Sequence, residues 1–281
     1  VYKRQRLPIA MHALQQSMEQ ARQRVAERGT SGVRELMVLG VAVLLLAIAV
    51  ALWTKDHQAG FHGLQGLTHA FLPDAAWAVV TRFGDERVLF VLSLLFVRRR
   101  PEIFWAMLVA ALIGTLYSQG LKLYLDVLRP PAVLPADEFR LIGPALRRNS
   151  FPSGHTLSAF LFAGVLFAFA TSVTQRLALM LIAILVGLSR VAVGVHWPLD
   201  IIAGACSGLL LAAAGVWISY YWQAGLRPRV HLWLLLLPFA AILLLLAGDN
   251  GNPSAPLFVY PVVVLALAKG IHDYRDIVAS Q

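Results

Sequence analysis

Residues 189–200 read SRVAVGVHWPLD, and this stretch holds an arginine, a histidine and a carboxylate at close spacing. His196 follows Arg190 after five intervening residues, and Asp200 lies four beyond the histidine. On a helical path residues four apart share a face, so Asp200 can reach the His196 imidazole. A carboxylate there keeps one ring nitrogen protonated and frees the other as a base or nucleophile. Two upstream stretches add complementary groups. Lys122 precedes Arg129-Pro130 by six intervening residues, and residues 152–155 read Pro-Ser-Gly-His. Each fragment alone has a plain structural reading: a His–Asp pair at a helix end, cations snorkelling to an interface, a turn that caps a helix.

Together the fragments describe a phosphate site. Lys122, Arg129 and Arg190 supply three cations, enough to offset a phosphate dianion and the charge spread over its equatorial oxygens during transfer. Ser153 and Gly154 stand just before an apolar run, where the free amides of a helix start point at an anion. Glycine permits close backbone approach, and the serine hydroxyl adds a donor. His196 is then placed to attack phosphorus, and His155 to protonate the departing oxygen.

The elements that must position these groups are apolar. The 281 residues are 58% hydrophobic and 14% charged, against about 45–50% and about 25% in soluble domains. The apolar residues come in blocks, which predicts an all-α, polytopic membrane helical bundle. A span needs about 20 apolar residues. The predicted spans are 35–53, 75–97, 103–125, 155–172, 176–195, 199–222, 231–247 and 255–268. The second is interrupted by Arg82, Asp85, Glu86 and Arg87. Before it, Phe61, Leu64, Leu67 and Phe71 recur at helical spacing and predict an interfacial helix. The domain reading is a polar cytoplasmic segment at 1–32, a six-helix core at 33–222, and two further spans with a short tail at 223–281. Residues 1–5, VYKRQ, read as an artefactual extension, with genuine sequence expected from Arg6.

A net charge of +9 raises nucleic acid as a partner, but the arginines sit mainly at the ends of apolar runs. That pattern belongs to membrane orientation. Arg98, Arg99, Arg100, Arg176, Arg227, Arg229, Lys269 and Arg275 share one side if eight spans alternate, so both termini are expected in the cytoplasm. The three phosphate-handling stretches then meet at the outer face. The loop 126–152 lies on that face too, although it carries Arg129, Arg140, Arg147 and Arg148. A basic loop on the disfavoured side is explained by an anion to bind. Trp53, Trp197 and Trp222 fit interfacial anchors, and Cys206, the lone cysteine, fits a packing residue.

Lys-(x6)-Arg-Pro, Pro-Ser-Gly-His and Ser-Arg-(x5)-His-(x3)-Asp, in this order, resemble the three signature motifs of the type 2 phosphatidic acid phosphatase superfamily. The resemblance covers roughly residues 35–222. It implies a six-helix membrane core and metal-independent hydrolysis of a lipid phosphate through a phosphohistidine, with no cofactor. It also implies roles: His196 as nucleophile, Asp200 as its orienting partner and His155 as general acid. Lys122, Arg129, Ser153, Gly154 and Arg190 would bind the phosphate. The superfamily includes the soluble vanadium haloperoxidases, against which the membrane spans argue. The expected partners are a lipid phosphate and the bilayer of a bacterial cytoplasmic membrane. Undecaprenyl diphosphate is the favoured substrate, with phosphatidylglycerol phosphate and phosphatidic acid as competitors. Transfer of the phosphoryl group to a lipid acceptor such as lipid A is the alternative activity, and non-catalytic anion transport a third. Arg140, Arg147 and Arg148 are candidates for a second phosphate, and Asp249 and Asn250 for a head-group contact.

Overall fold

Apolar runs form helices here until a glycine, a proline or a charged cluster ends them. The computed structural model describes residues 2–248 and 255–279; Asp249 and Asn250 lie outside the described residues. The helices are α1 (Tyr2–Arg28), α2 (Val33–Thr54), α3 (Phe61–Phe71), α4 (Asp74–Val80), α5 (Glu86–Ser93), α6 (Pro101–Leu125) and α7 (Pro130–Val133). They continue with α8 (Gly154–Phe169), α9 (Val173–Ala192), α10 (Pro198–Tyr221), α11 (Pro228–Leu234), α12 (Leu236–Ala247) and α13 (Ala255–Ala279). Short 3-10 turns occupy Thr81–Gly84 and Ala224–Leu226. No strand occurs among the described residues.

Helices α2, α6, α9, α10 and the α11–α12 pair are each long and apolar enough to cross a membrane. Helix α8 is apolar but shorter, at 16 residues. Leu45, Leu52, Leu112, Leu116, Leu181 and Leu243 are exposed on the outer surfaces of these helices. So many bare leucines would be unfavourable in water and are at home in lipid.

The core is built around α8, which packs against α10, α9 and α6, while α10 also packs on α2. Small residues set the spacing. A Cβ on Gly208 would lie 2.6 Å from the Leu157 carbonyl oxygen, and one on Gly204 would lie 2.8 Å from that of Ser153. Only glycine lets α10 come this close to the start of α8.

The expected second span is not one continuous helix. It breaks into α4, the turn Thr81–Gly84 and α5, with Asp85 capping α5 by accepting from the Arg87 amide at 2.9 Å. The break brings Gly84 against α8, where a Cβ would sit 2.7 Å from that of His155. Helix α3 exists as predicted but packs through a different face. Phe61, Gln65 and Thr68 are buried, while Leu67 and Phe71 are about 70% exposed. Gln65 turns inward because its amide bonds the carbonyls of Val191 and Arg140 and accepts from the Arg140 amide. Trp197 is likewise no interfacial anchor: it is 1% exposed, and its ring meets that of Phe61.

At the opposite end, α1 buries Leu14, Met18, Ala21 and Val25 in a second apolar cluster shared with α5, α6 and α12. Buried Glu102 ties this helix down by pairing with Arg24 at 2.9 Å and Arg100 at 2.6 Å.

Candidate active site

The loop between α9 and α10 turns sharply at Gly194, whose φ of +78° favours glycine. It delivers His196 and then Trp197, immediately ahead of Pro198 at the first position of α10. Asp200 sits one turn into that helix. Its Oδ2 accepts from the Trp197 amide at 2.9 Å, so one carboxylate both caps the helix and meets the histidine. His196 Nδ1 lies 3.2 Å from the same oxygen. Because an ionised carboxylate only accepts, Nδ1 carries the proton and Nε2 keeps its lone pair.

That lone pair faces Arg129, whose Nη1 is 3.1 Å from Nε2. Arg129 is held by carbonyls on three further sides: Arg148 at 2.8 Å, Asn149 at 3.1 Å and Val195 at 3.2 Å. The Trp197 indole donates to the Leu128 carbonyl at 2.8 Å and pins the arginine loop to the histidine loop. Burial, and then the Arg129 guanidinium, push His196 from its ordinary 6.5 down to about 3. Both disfavour a charged ring. The imidazole is therefore neutral at physiological pH, the form a nucleophile requires.

The other motif residues converge on the same place. Ser153 is fully buried, donates its amide to the Asp200 carbonyl at 3.1 Å and accepts a hydroxyl bond from Thr156 at 2.9 Å. Gly154 opens α8 beside Lys122, where an added Cβ would be 3.0 Å from the ammonium nitrogen. Arg190, at the end of α9, donates to Thr81 Oγ1 at 2.5 Å. His155 lies within electrostatic reach of Arg190, His196, Arg129 and Lys122. All eight sequence-predicted site residues are thus brought together. Arg140 and Arg148 are not: each is exposed and engaged elsewhere, Arg140 with Asp74 at 3.4 Å and Arg148 with Asp126.

Three neighbours escaped the sequence reading. Ser150 donates to Asp200 Oδ2 at 2.6 Å, His57 Nε2 meets Asp200 Oδ1 at 2.8 Å, and Thr81 meets Arg190. Ser150 stands two residues before the Pro-Ser-Gly-His stretch, so a hydroxyl near the motif was its only signal. Below the site a cavity runs between α5, α6 and α8. Leu89, Phe90, Met107, Leu157, Leu161 and Phe162 line it, and Lys122, Gly154 and Glu86 stand among its polar lining. Thr115 and Gln119, also in its wall, are exposed, so the cavity is open at the side of the bundle.

A buried dyad at one end of a helical bundle, ringed by cations, defines a membrane phosphatase, and comparison with known proteins gives its family. The PAP2 superfamily profile matches residues 102–226. An undecaprenyl-diphosphatase of Sulfolobus acidocaldarius is 30% identical over 190 residues, covering 65% of this chain and 87% of that protein. A lipid A 1-phosphatase of Porphyromonas gingivalis is 39% identical over 74 residues, 25% of this chain and 16% of that one. The crystal structure of Aquifex aeolicus LpxE is similar with a TM-score of 0.51 and 32% identity, covering 55% of this chain and 91% of that chain. The chain belongs to the PAP2 superfamily and is an integral membrane phosphatase of its lipid-phosphatase kind.

Proposed function

We propose that this protein hydrolyses a lipid diphosphate or monophosphate by two displacements at His196. The observation that carries the reading is the dyad: Nδ1 is committed to Asp200, while Nε2 looks into the cation cluster. In the first step Nε2 attacks the terminal phosphorus and the bond to the leaving lipid oxygen breaks, with His155 giving that oxygen its proton. Arg129 Nη1 moves from Nε2 onto a phosphate oxygen as attack begins. Lys122, Arg190, Ser153 and the Gly154 amide bind the remaining oxygens. In the second step His155 takes a proton from water, the hydroxide attacks the phosphohistidine, and the P–N bond breaks to release inorganic phosphate. Asp200 stabilises the positive charge that the ring acquires.

Undecaprenyl diphosphate is the favoured substrate, supported by the similarity to the Sulfolobus protein and by the mainly apolar cavity beside Lys122. The catalytic unit is residues 33–222, with α1 and α11–α13 packed around it. Both termini lie in the cytoplasm and the site opens on the outer face. Supporting this, Arg28 at the end of α1 lies within electrostatic reach of both Arg100 and Arg176, which stand at the ends of α6 and α9 opposite Lys122 and Arg190.

The test is phosphate release by the detergent-purified protein, with EDTA present, from a panel of lipid mono- and diphosphates. Release should survive chelation, be fastest with the polyprenyl diphosphate and disappear in His196→Ala. A fully active His196→Ala protein would end this reading.

A further inference from the structure

We infer that His57 is a positioning residue for the dyad, the donor that fixes the second oxygen of Asp200. The inference rests on the reading of His196 as nucleophile. Asp200 is fully buried, and its two oxygens are unequally served. Oδ2 accepts from Ser150 at 2.6 Å, from the Trp197 amide at 2.9 Å and from His196 at 3.2 Å. Oδ1 has His57, at 2.8 Å.

A buried carboxylate oxygen without a donor is costly, and the group relieves the cost by rotating or by taking up a proton. Either response disturbs the Oδ2–Nδ1 bond that sets the His196 tautomer. His57 prevents both. It reaches Asp200 from the loop between α2 and α3, 143 residues upstream, and is 30% exposed. Lys55 at φ 51° and Gly60 at φ 76° turn the chain at either end of that loop. Phe151 and Trp197 wall the ring edge-on, with centroids 5.9 Å and 6.5 Å away. His57 therefore acts through the carboxylate oxygen that His196 does not touch. Its effect should fall on the chemical step, where the His196 ring becomes positive, rather than on substrate binding.

Three variants test this: His57→Gln, His57→Asn and His57→Leu. A glutamine amide can occupy the position of Nε2, an asparagine amide stops short of it, and leucine offers no donor. Leu and Asn should lower kcat about tenfold or more with KM within about twofold, and Gln should recover kcat to within about threefold. If the Leu protein does not fold, the Gln and Asn pair decides alone, since both are polar. Wild-type kcat in the Leu or Asn protein, or a Gln protein as slow as Asn, overturns the inference. His196→Ala is measured beside them. Its inactivity together with unaffected His57 variants removes this inference alone, whereas its full activity removes the reading beneath it.

Discussion

His196 has an acceptor behind it and cations in front, and the two sides have different consequences. Its pKa in the folded protein, about 3, lies below its ordinary value of 6.5. The unfolded chain therefore takes up a proton that the native site refuses, and the stability His196 contributes is complete above pH about 6.5. That contribution is lost as pH falls from there toward 3. The melting temperature in detergent should drop between pH 7 and 4.5, and His196→Asn should flatten part of the drop; an unchanged slope contradicts this. On the cationic side, a methyl group at Gly154 would meet only the flexible end of Lys122. Gly154→Ala should keep the wild-type melting temperature but displace the ammonium, lowering kcat/KM about tenfold through loss of one charge-assisted contact. The motif residues were legible because their chemistry is local in sequence: Asp200 is four positions beyond His196. His57 and Thr81 were not, because they meet their partners across 143 and 109 residues, and no spacing rule spans such distances.

Among the elements, the close pairing of α8 and α10 holds the Pro-Ser-Gly-His turn against the histidine loop. Gly204→Ala places a Cβ 2.8 Å from the Ser153 carbonyl oxygen, which is backbone and cannot step aside cheaply. Overpacking of this kind costs about 1–3 kcal/mol, so both melting temperature and kcat/KM should fall. Gly120→Ala on α6 is the matched control, with nothing within 4 Å of the added carbon. It should melt at or above the wild-type temperature, since alanine favours a helix by up to about 1 kcal/mol. If both variants behave alike, the close contact is not what holds the turn. The long apolar runs that became α2, α6, α9 and α10 were legible from composition and length alone. The broken second span was legible only as a weakness. Its charges marked an interruption, but that the turn would carry Thr81 to Arg190 and Gly84 to His155 depends on packing, which periodicity does not encode. Helix α3 shows the same limit, since its leucines suggested one face and the hydrogen bonds of Gln65 selected another.

For the whole molecule, the proposed orientation has a direct check, because Cys206 is buried and gives little background to a thiol reagent. A membrane-impermeant maleimide should label Arg147→Cys in intact cells with a permeable outer envelope, and Arg227→Cys only after lysis. The reverse pattern would invert the topology and put the dyad on the cytoplasmic face. The arginines at the helix ends give a sidedness to propose, whereas the cavity between α5, α6 and α8 left no trace in the sequence, since it exists only once three separate helices are assembled. Its side opening has a kinetic consequence. A lipid that enters from the bilayer plane is sampled at its surface density, not its bulk concentration. Adding empty micelles at fixed total substrate should therefore slow the enzyme as an inhibitor would, and a Michaelis constant for this protein is properly a mole fraction.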